Sequence, residues 1–418
     1  MKKSLLALAA LGAFVGSAQA QSSVTVYGIV DVGFLKTDGT TGANNGTAAA
    51  NGGKVVSSAF NSGNLSTSRL GFRGIEDIGG GTRASFVVEI GLTPTSNGFS
   101  GSSNMVGSPL GTSYPHNSNA VDNRQSFLGL AQKGFGEARI GRQYTPVHEA
   151  MCAQNVGQCN GMAGDMIYMG ANSSNTRTVA NSLVTAAQIR ASNAITFRTE
   201  NIQGFQVTGL YSANNTDTQN MGVSTLSSQS GQGAVNYRMH GGNISFTGVK
   251  NLDIRFGTQY TGMNRDNASN TTTANVLVGN QLLTGTPATL AIARSAQRDQ
   301  YAGISYDFGV AKVALQQVVL EVEAVNVLTT RRIANQVAVS APVTKTINAW
   351  ASYGQGKYKG STSHTNYDFS GYQAGAQYSL SKRTSLYAIY GVANQDAVTA
   401  GNTKYQDNQY AIGARHSF

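Results

Sequence analysis

His148-Glu149 opens the His-Glu-x-x-His spacing that sets two zinc-binding histidines on one helical face, but Cys152 stands where the second histidine must be. His116, His240, His364 and His416 are far apart, and no Gly-x-Ser-x-Gly elbow offers a nucleophile. Gly79-Gly80-Gly81 matches a phosphate loop only in composition, because it reads as a hairpin turn with no helix behind it. Cys152 and Cys159 are a close pair, which in an exported chain reads as a disulfide closing a small loop. Two cysteines alone do not complete a structural zinc site, which takes four ligands. Single arginines recur at strand-like spacing, with Arg69 and Arg73 opposite Leu70 and Phe72. The chain therefore offers charge without a catalytic set, a metal site or a cofactor motif.

The elements that would position these residues begin after an export leader. Lys2-Lys3, the apolar run Leu5 to Val15 and the small-x-small triplet Ala18-Gln19-Ala20 read as a signal peptide spanning 1–20, removed to leave one domain over 21–418. The formal charge is +10, or +8 once Lys2 and Lys3 leave with the leader. Only 12% of residues are charged, well below the roughly 25% of soluble domains, while 50 are glycine. Disordered chains are poor in aromatics, so 18 tyrosines and 15 phenylalanines exclude that class. Nucleic-acid binding needs a basic patch, and no Lys/Arg run here exceeds two residues.

Alternation supplies the fold. In Val24 to Asp31, Val24, Val26 and Val30 oppose Thr25, Tyr27 and Asp31; in Thr82 to Ile90, Ala84, Phe86, Val88 and Ile90 oppose Arg83, Ser85 and Glu89. Short turns at 77–81, 133–136, 201–204, 249–251, 309 and 380–383 alternate with long polar segments near 37–66, 92–121, 145–188, 214–231 and 264–296. Short turns at one end and long loops at the other mark an outer-membrane barrel. The expectation is all-β: a 16-stranded antiparallel transmembrane barrel, all six prolines in its connections. Sixteen strands enclose more space than side chains fill, which leaves an aqueous channel.

Several segments then resemble the trimeric general diffusion porins of Gram-negative bacteria, in their basic, anion-preferring branch. They are Val24-Thr25-Val26-Tyr27-Gly28, the run Ser68 to Gly81, Gly129-Leu130, Gly134-Phe135-Gly136, Gly141-Arg142-Gln143-Tyr144, Ser379 to Thr384 with Tyr387, and Gly413 to Phe418. The resemblance implies a third loop folded into the barrel, its acids facing a ladder of wall arginines. By position that loop is Thr145 to Gln188, with Glu149 and Asp165 as its acidic side, and it holds both cysteines, a departure from the family pattern. Arg69, Arg73, Arg124 and Arg190 become the wall candidates, Arg177 an alternative to Arg190, and Arg142 points outward by parity. Phe418 becomes the C-terminal assembly signal.

The function implied is passive diffusion of small hydrophilic solutes, with anions preferred. The implied partners are two further copies in a homotrimer, outer-membrane lipid and lipopolysaccharide, and the barrel-assembly machinery; nucleic acid and cofactors are not expected. The alternatives are a barrel enzyme, which needs an acid/base or nucleophile set, and an adhesin, which predicts a closed lumen.

Overall fold

The computed structural model describes residues 23–41, 53–95, 122–168, 187–216, 235–266, 274–278, 281–285, 292–324, 328–359, 366–396 and 405–418. The leader at 1–20 lies outside them. The first strands are β1 (Ser23–Thr41), β2 (Gly53–Ser62), β3 (Arg69–Gly79), β4 (Thr82–Gly91), β5 (Asn123–Gln132) and β6 (Gly136–Tyr144). A helix, α1 (Pro146–Gln154), precedes β7 (Arg190–Thr199), β8 (Phe205–Thr216), β9 (Val235–Phe246) and β10 (Leu252–Asp266). After them come β11 (Ala274–Val278), β12 (Gln281–Gly285), β13 (Ile292–Asp307), β14 (Lys312–Ala324) and β15 (Leu328–Pro342). The chain ends with β16 (Ile347–Lys359), β17 (Tyr367–Ser379), β18 (Thr384–Gln395) and β19 (Tyr405–Ser417).

Seventeen of these strands form one sheet, and β11–β12 is a separate hairpin. β1 pairs its upper half with β2 (Val32↔Ser62 to Thr41↔Gly53) and its lower half with β3 (Ser23↔Ile75 to Ile29↔Arg69). The two therefore share one barrel position, and the barrel has sixteen staves. It closes through β19, in register from Ile29↔Ser417 to Gly39↔Asp407, with Gly28 and Phe418 exchanging backbone bonds of 3.1 Å. Closure leaves no unpaired edge in hydrocarbon.

Parity sorts the two faces as the alternation requires. Val24, Val26, Phe72, Leu128, Ile140, Ile195, Leu315 and Ile412 are exposed on the outside, whereas Asp31, Glu89, Arg124, Gln143, Gln336 and Gln373 are buried on the inside. Gly79, Gly80 and Gly81 turn the β3–β4 hairpin with φ of +93°, +61° and +79°, backbone that side chains rarely adopt.

Three sequence expectations change. The first long segment, 37–66, is shorter than its polarity suggests: β1 continues to Thr41 and β2 resumes at Gly53. Polar residues serve as lumenal positions there, so polarity does not mark a loop. A further short turn joins β15 to β16, and Pro342 closes β15 rather than lying in a connection. It sits at the strand's last position, the place where a missing N–H costs the ladder least. The loop after β6 also opens with a helix, capped by Thr145, whose side chain accepts from the His148 N–H at 3.3 Å, and started by Pro146.

The β2–β3 break, 63–68, dips into the lumen. Asp31 holds it, accepting from the backbone N–H of Leu65 (3.2 Å) and Ser66 (2.7 Å) and from the Tyr387 hydroxyl (2.6 Å). Leu65 is then fully buried against Met162, Trp350, Tyr387 and Ile389.

Candidate functional site: the lumenal arginine cluster

α1 and the chain that follows it to Tyr168 lie along the inner wall. Val147, Ala150, Met151, Met166 and Ile167 pack with Tyr301, Val318 and Leu320 of β13 and β14. Side chains of the wall and the loop, most of them amides, join the two, and the buried Arg332 of β15 donates to Met166 O at 2.6 Å. Asn243 donates to Pro146 O (2.8 Å), Gln154 donates to Asp253 O (2.7 Å), and Met166 N donates to Gln336 (2.8 Å). Gln373 donates to Asn160 Oδ1 (3.0 Å) and Ala163 O (3.1 Å), while Ala163 N donates to Gln409 (2.9 Å). A Cβ on Gly391 would collide with the Ala163 carbonyl, so glycine lets the loop lie directly on the wall. The returning end is fixed the same way: Gln188 N donates to Asp299 (3.2 Å) and Tyr237 donates to the Gln188 side chain (3.1 Å).

This docking occupies β9–β19, and the arginines gather on the other side, β3–β7. Tyr144, the last residue of β6, is their centre. Arg124 Nη2 donates to its hydroxyl at 2.9 Å, and the Arg190 guanidinium lies 5.1 Å over its ring. Arg124 Nε also donates to Glu89 at 2.8 Å, and Tyr27 donates to the other Glu89 oxygen at 3.2 Å. Arg69, Arg124, Arg190, Glu89 and Tyr144 all lie within one another's electrostatic reach. The site thus gathers Arg69, Arg124 and Arg190 around the ion-paired Glu89, with Arg142 and Asp122 beside them. Arg124 and Arg190 are 4% and 6% exposed, and Arg190 Nε has no hydrogen-bond partner. Arg69 is partly exposed, and among the described residues its guanidinium donates to the Thr67 carbonyl at 2.9 Å.

His148 stacks on Tyr144, ring centroids 4.8 Å apart, and tilts against Tyr168. Burial, followed by repulsion from Arg190, Arg124 and Arg69, pushes its pKa down to about 3. It is therefore a neutral ring at ordinary pH and adds no charge to the cluster.

The other expected positions fall as follows. Arg73 is exposed, 5.3 Å from the Tyr27 ring and nearer the β3–β4 turn than Arg69. Arg142 is half-buried and donates to Asn123 O and Ser192 Oγ, each at 2.7 Å, on the Ile140 side of β6; the register shift here lies on the β7 side, where three steps from Ala191 to Ala194 face two from Gly141 to Gln143. Glu149 forms an ion pair with Arg198 of β7. Asp165 is 2% exposed and folds the loop, accepting from Asn155 (2.6 Å) and from the backbone of Ile167 and Tyr168 (3.0 Å each). Cys152 and Cys159 are disulfide-bonded. Arg177 lies outside the described residues. Glu89, Tyr144 and Arg198 were not singled out from sequence; Glu89 and Arg198 were within reach of the parity rule, since each alternates with lipid-facing neighbours.

Comparison with known proteins agrees with this architecture. The Gram-negative porin family model matches residues 7–399. Over the full length of both chains the protein is 28% identical to outer membrane porin protein 32 of Delftia acidovorans. It is 31% identical to an outer membrane porin of Bordetella pertussis over 226 residues, 52% of this chain and 50% of that one. The anion-selective porin from Comamonas acidovorans superposes with a TM-score of 0.64 at 21% identity, covering 95% of this chain and all of the other. The closed barrel, its family-wide match and its outer-membrane relatives together make this chain a member of the Gram-negative porin family, resident in the outer membrane.

Proposed function

We propose that the barrel passes small hydrophilic solutes by passive diffusion and prefers anions, the preference arising at Arg69, Arg124 and Arg190. The observation that carries this is the imbalance on one wall: Arg69, Arg124 and Arg190, with Arg142 beside them, meet two carboxylates, the ion-paired Glu89 and Asp122. The acidic counter-wall suggested by Glu149 and Asp165 is largely spent, because one is paired with Arg198 and the other folds its own loop. A charged ring facing a narrow aqueous path sorts ions by sign. Arg73 contributes less, at the periplasmic mouth. An anion entering the cluster finds Arg69 first, the least covered of the three.

The remaining parts of the reading follow from family resemblance: export by cleavage after Ala20, recognition of Phe418 by the assembly machinery, and trimers embedded in outer-membrane lipid and lipopolysaccharide. Single-channel recording in planar bilayers tests the core of it. Stepwise conductances with reversal potentials of anionic sign in a KCl gradient are the expected result; a protein that inserts without conducting would end the diffusion reading, and a cationic sign would end the preference.

A further inference from the structure

We propose that the Cys152–Cys159 disulfide is an exchange site for small anionic thiols, which become attached at Cys159 and weaken the arginine field. Its placement is not that of a structural staple. The bond spans a sequence separation of seven and ties the loop to itself, not to the barrel wall. The segment it closes is held independently. Gln154 donates to Asp253 O, Asn155 to Asp165, Gln158 to Gln377 at 3.1 Å and Asn160 to Gln373 at 2.8 Å. Both cysteines are half-buried, whereas their neighbours Met151, Gln154, Asn155 and Asn160 are buried. The disulfide therefore lies on the water side of the loop, where a solute thiolate can reach it.

The backbone adds to the case. Gln158 and Cys159 have φ of +60° and +52°, left-handed conformations that are costly for residues other than glycine. The bond helps to hold them there, so opening it releases that cost. Exposed or strained disulfides are the ones that exchange.

The surroundings select which sulfur is attacked. Cys152 Sγ lies 3.7 Å from both ring nitrogens of His148, within hydrogen-bond range for sulfur. That ring stacks on Tyr144 and lies in the field of Arg190, Arg124 and Arg69. Cys152 is therefore the better leaving group. Whichever ring nitrogen carries the proton can donate to its thiolate, and the guanidiniums stabilise the charge. The incoming thiolate attacks Cys159 Sγ, a new S–S bond forms there, and the Cys152–Cys159 bond breaks. Its electron pair leaves on Cys152 Sγ, which then takes a proton from water. One disulfide replaces another, so neither oxidant nor reductant beyond the thiol is consumed. The same guanidiniums draw in thiols that carry a carboxylate or sulfonate. That choice of class rests on the anion-attracting wall proposed above; the exchange itself does not.

The test uses the purified full barrel, with mercaptoethanesulfonate as the anionic thiol and cysteamine as the cationic one. Acid quenching, maleimide blocking and peptide mass spectrometry read the products. Compared per thiolate, mercaptoethanesulfonate should open the bond about tenfold faster, the low end of what a charged cleft adds to association. Its adduct should sit on Cys159, with maleimide on Cys152. In bilayers the added negative charge, about 6 Å from the ion path, should cut anion preference roughly fourfold at about 0.1 M salt. Cys152→Ser with Cys159→Ser is the control and should show neither adduct nor shift on addition of thiol. A bond that resists both thiols until the barrel is unfolded, equal rates for the two probes, an adduct on Cys152, or the same shift in the double variant would each overturn the proposal. Reversal potentials recorded before thiol is added test the anion-attracting wall separately.

Discussion

Replacing Arg69 with alanine removes a guanidinium that no carboxylate among the described residues holds in an ion pair, so the change deletes charge without stranding a buried partner there. Its effect can be worked from Coulomb's law. An ion passing about 6 Å from the charge in a water-filled lumen gains or loses roughly 0.7 kcal/mol. Screening over a Debye length of about 10 Å at 0.1 M salt leaves ~0.4 kcal/mol. An anion loses that much stabilisation and a cation is relieved of the same repulsion, so their permeability ratio falls by roughly fourfold. At 1 M salt the Debye length is about 3 Å and the same substitution should change the ratio only about 1.4-fold. Reversal potentials in KCl gradients of matched ratio, at low and high mean concentration, measure both numbers. Arg331→Ala, on the outer face, is the control and should leave the potential where it was. Two results refute the reasoning: no shift for Arg69→Ala at low salt, or an equal shift at both salt levels. The first means that Arg69 does not face the conducting path; the second means that the change acts by shape rather than charge.

Glu149→Gln leaves Arg198 unpaired and should raise anion preference at low salt, with Arg198→Gln shifting it the other way in the same bilayer assay. The Cys152–Cys159 bond closes a loop worth about 2.5 kcal/mol by chain entropy, so reduction should increase open-channel current noise while heat-induced loss of the barrel on gels stays unchanged. His148 holds its proton off to about pH 3 in the folded chain, whereas the unfolded chain binds one near 6.5. The unfolded state therefore gains protons first, and stability should fall as pH drops from about 6.5 toward 3. His148→Gln should flatten that part of the melting-temperature profile, and between pH 7 and 8 the two proteins should show the same pH dependence. Gln373→Ala removes the bonds to Asn160 and Ala163 and should produce flickering, higher-conductance openings in single-channel traces.

The barrel was legible because hydrocarbon enforces a simple rule on every second residue. Val24 against Asp31, or Leu70 and Phe72 against Arg69, states which side is wet without reference to any other strand. The same rule put Arg69 on the lumenal side, whereas Arg124 came from the resemblance to the porin family. The bulge beside Arg142 was not legible, since its extra residue lies on β7 between Ala191 and Ala194 and leaves the alternation of β6 unbroken. The rule also misjudged 37–66, where a lumen-facing strand carries the polarity of a loop.

What sequence did not show is how the third loop is held, and the reason is physical. A salt bridge or apolar stripe leaves a mark in composition; a glutamine does not, since the same residue type serves solvent, strand edge and core. Gln336, Gln373 and Gln409 sit on three different strands and meet the loop 170, 210 and 246 residues away in sequence. Their use here has a consequence for the site. These three amides fix the loop without adding charge to the lumen, beside charged anchors at Arg332 on Met166 O, Asp299 on Gln188 N and the Glu149–Arg198 ion pair. Had Gln336, Gln373 and Gln409 been carboxylates, each would have added negative charge to the lumen opposite the arginine cluster.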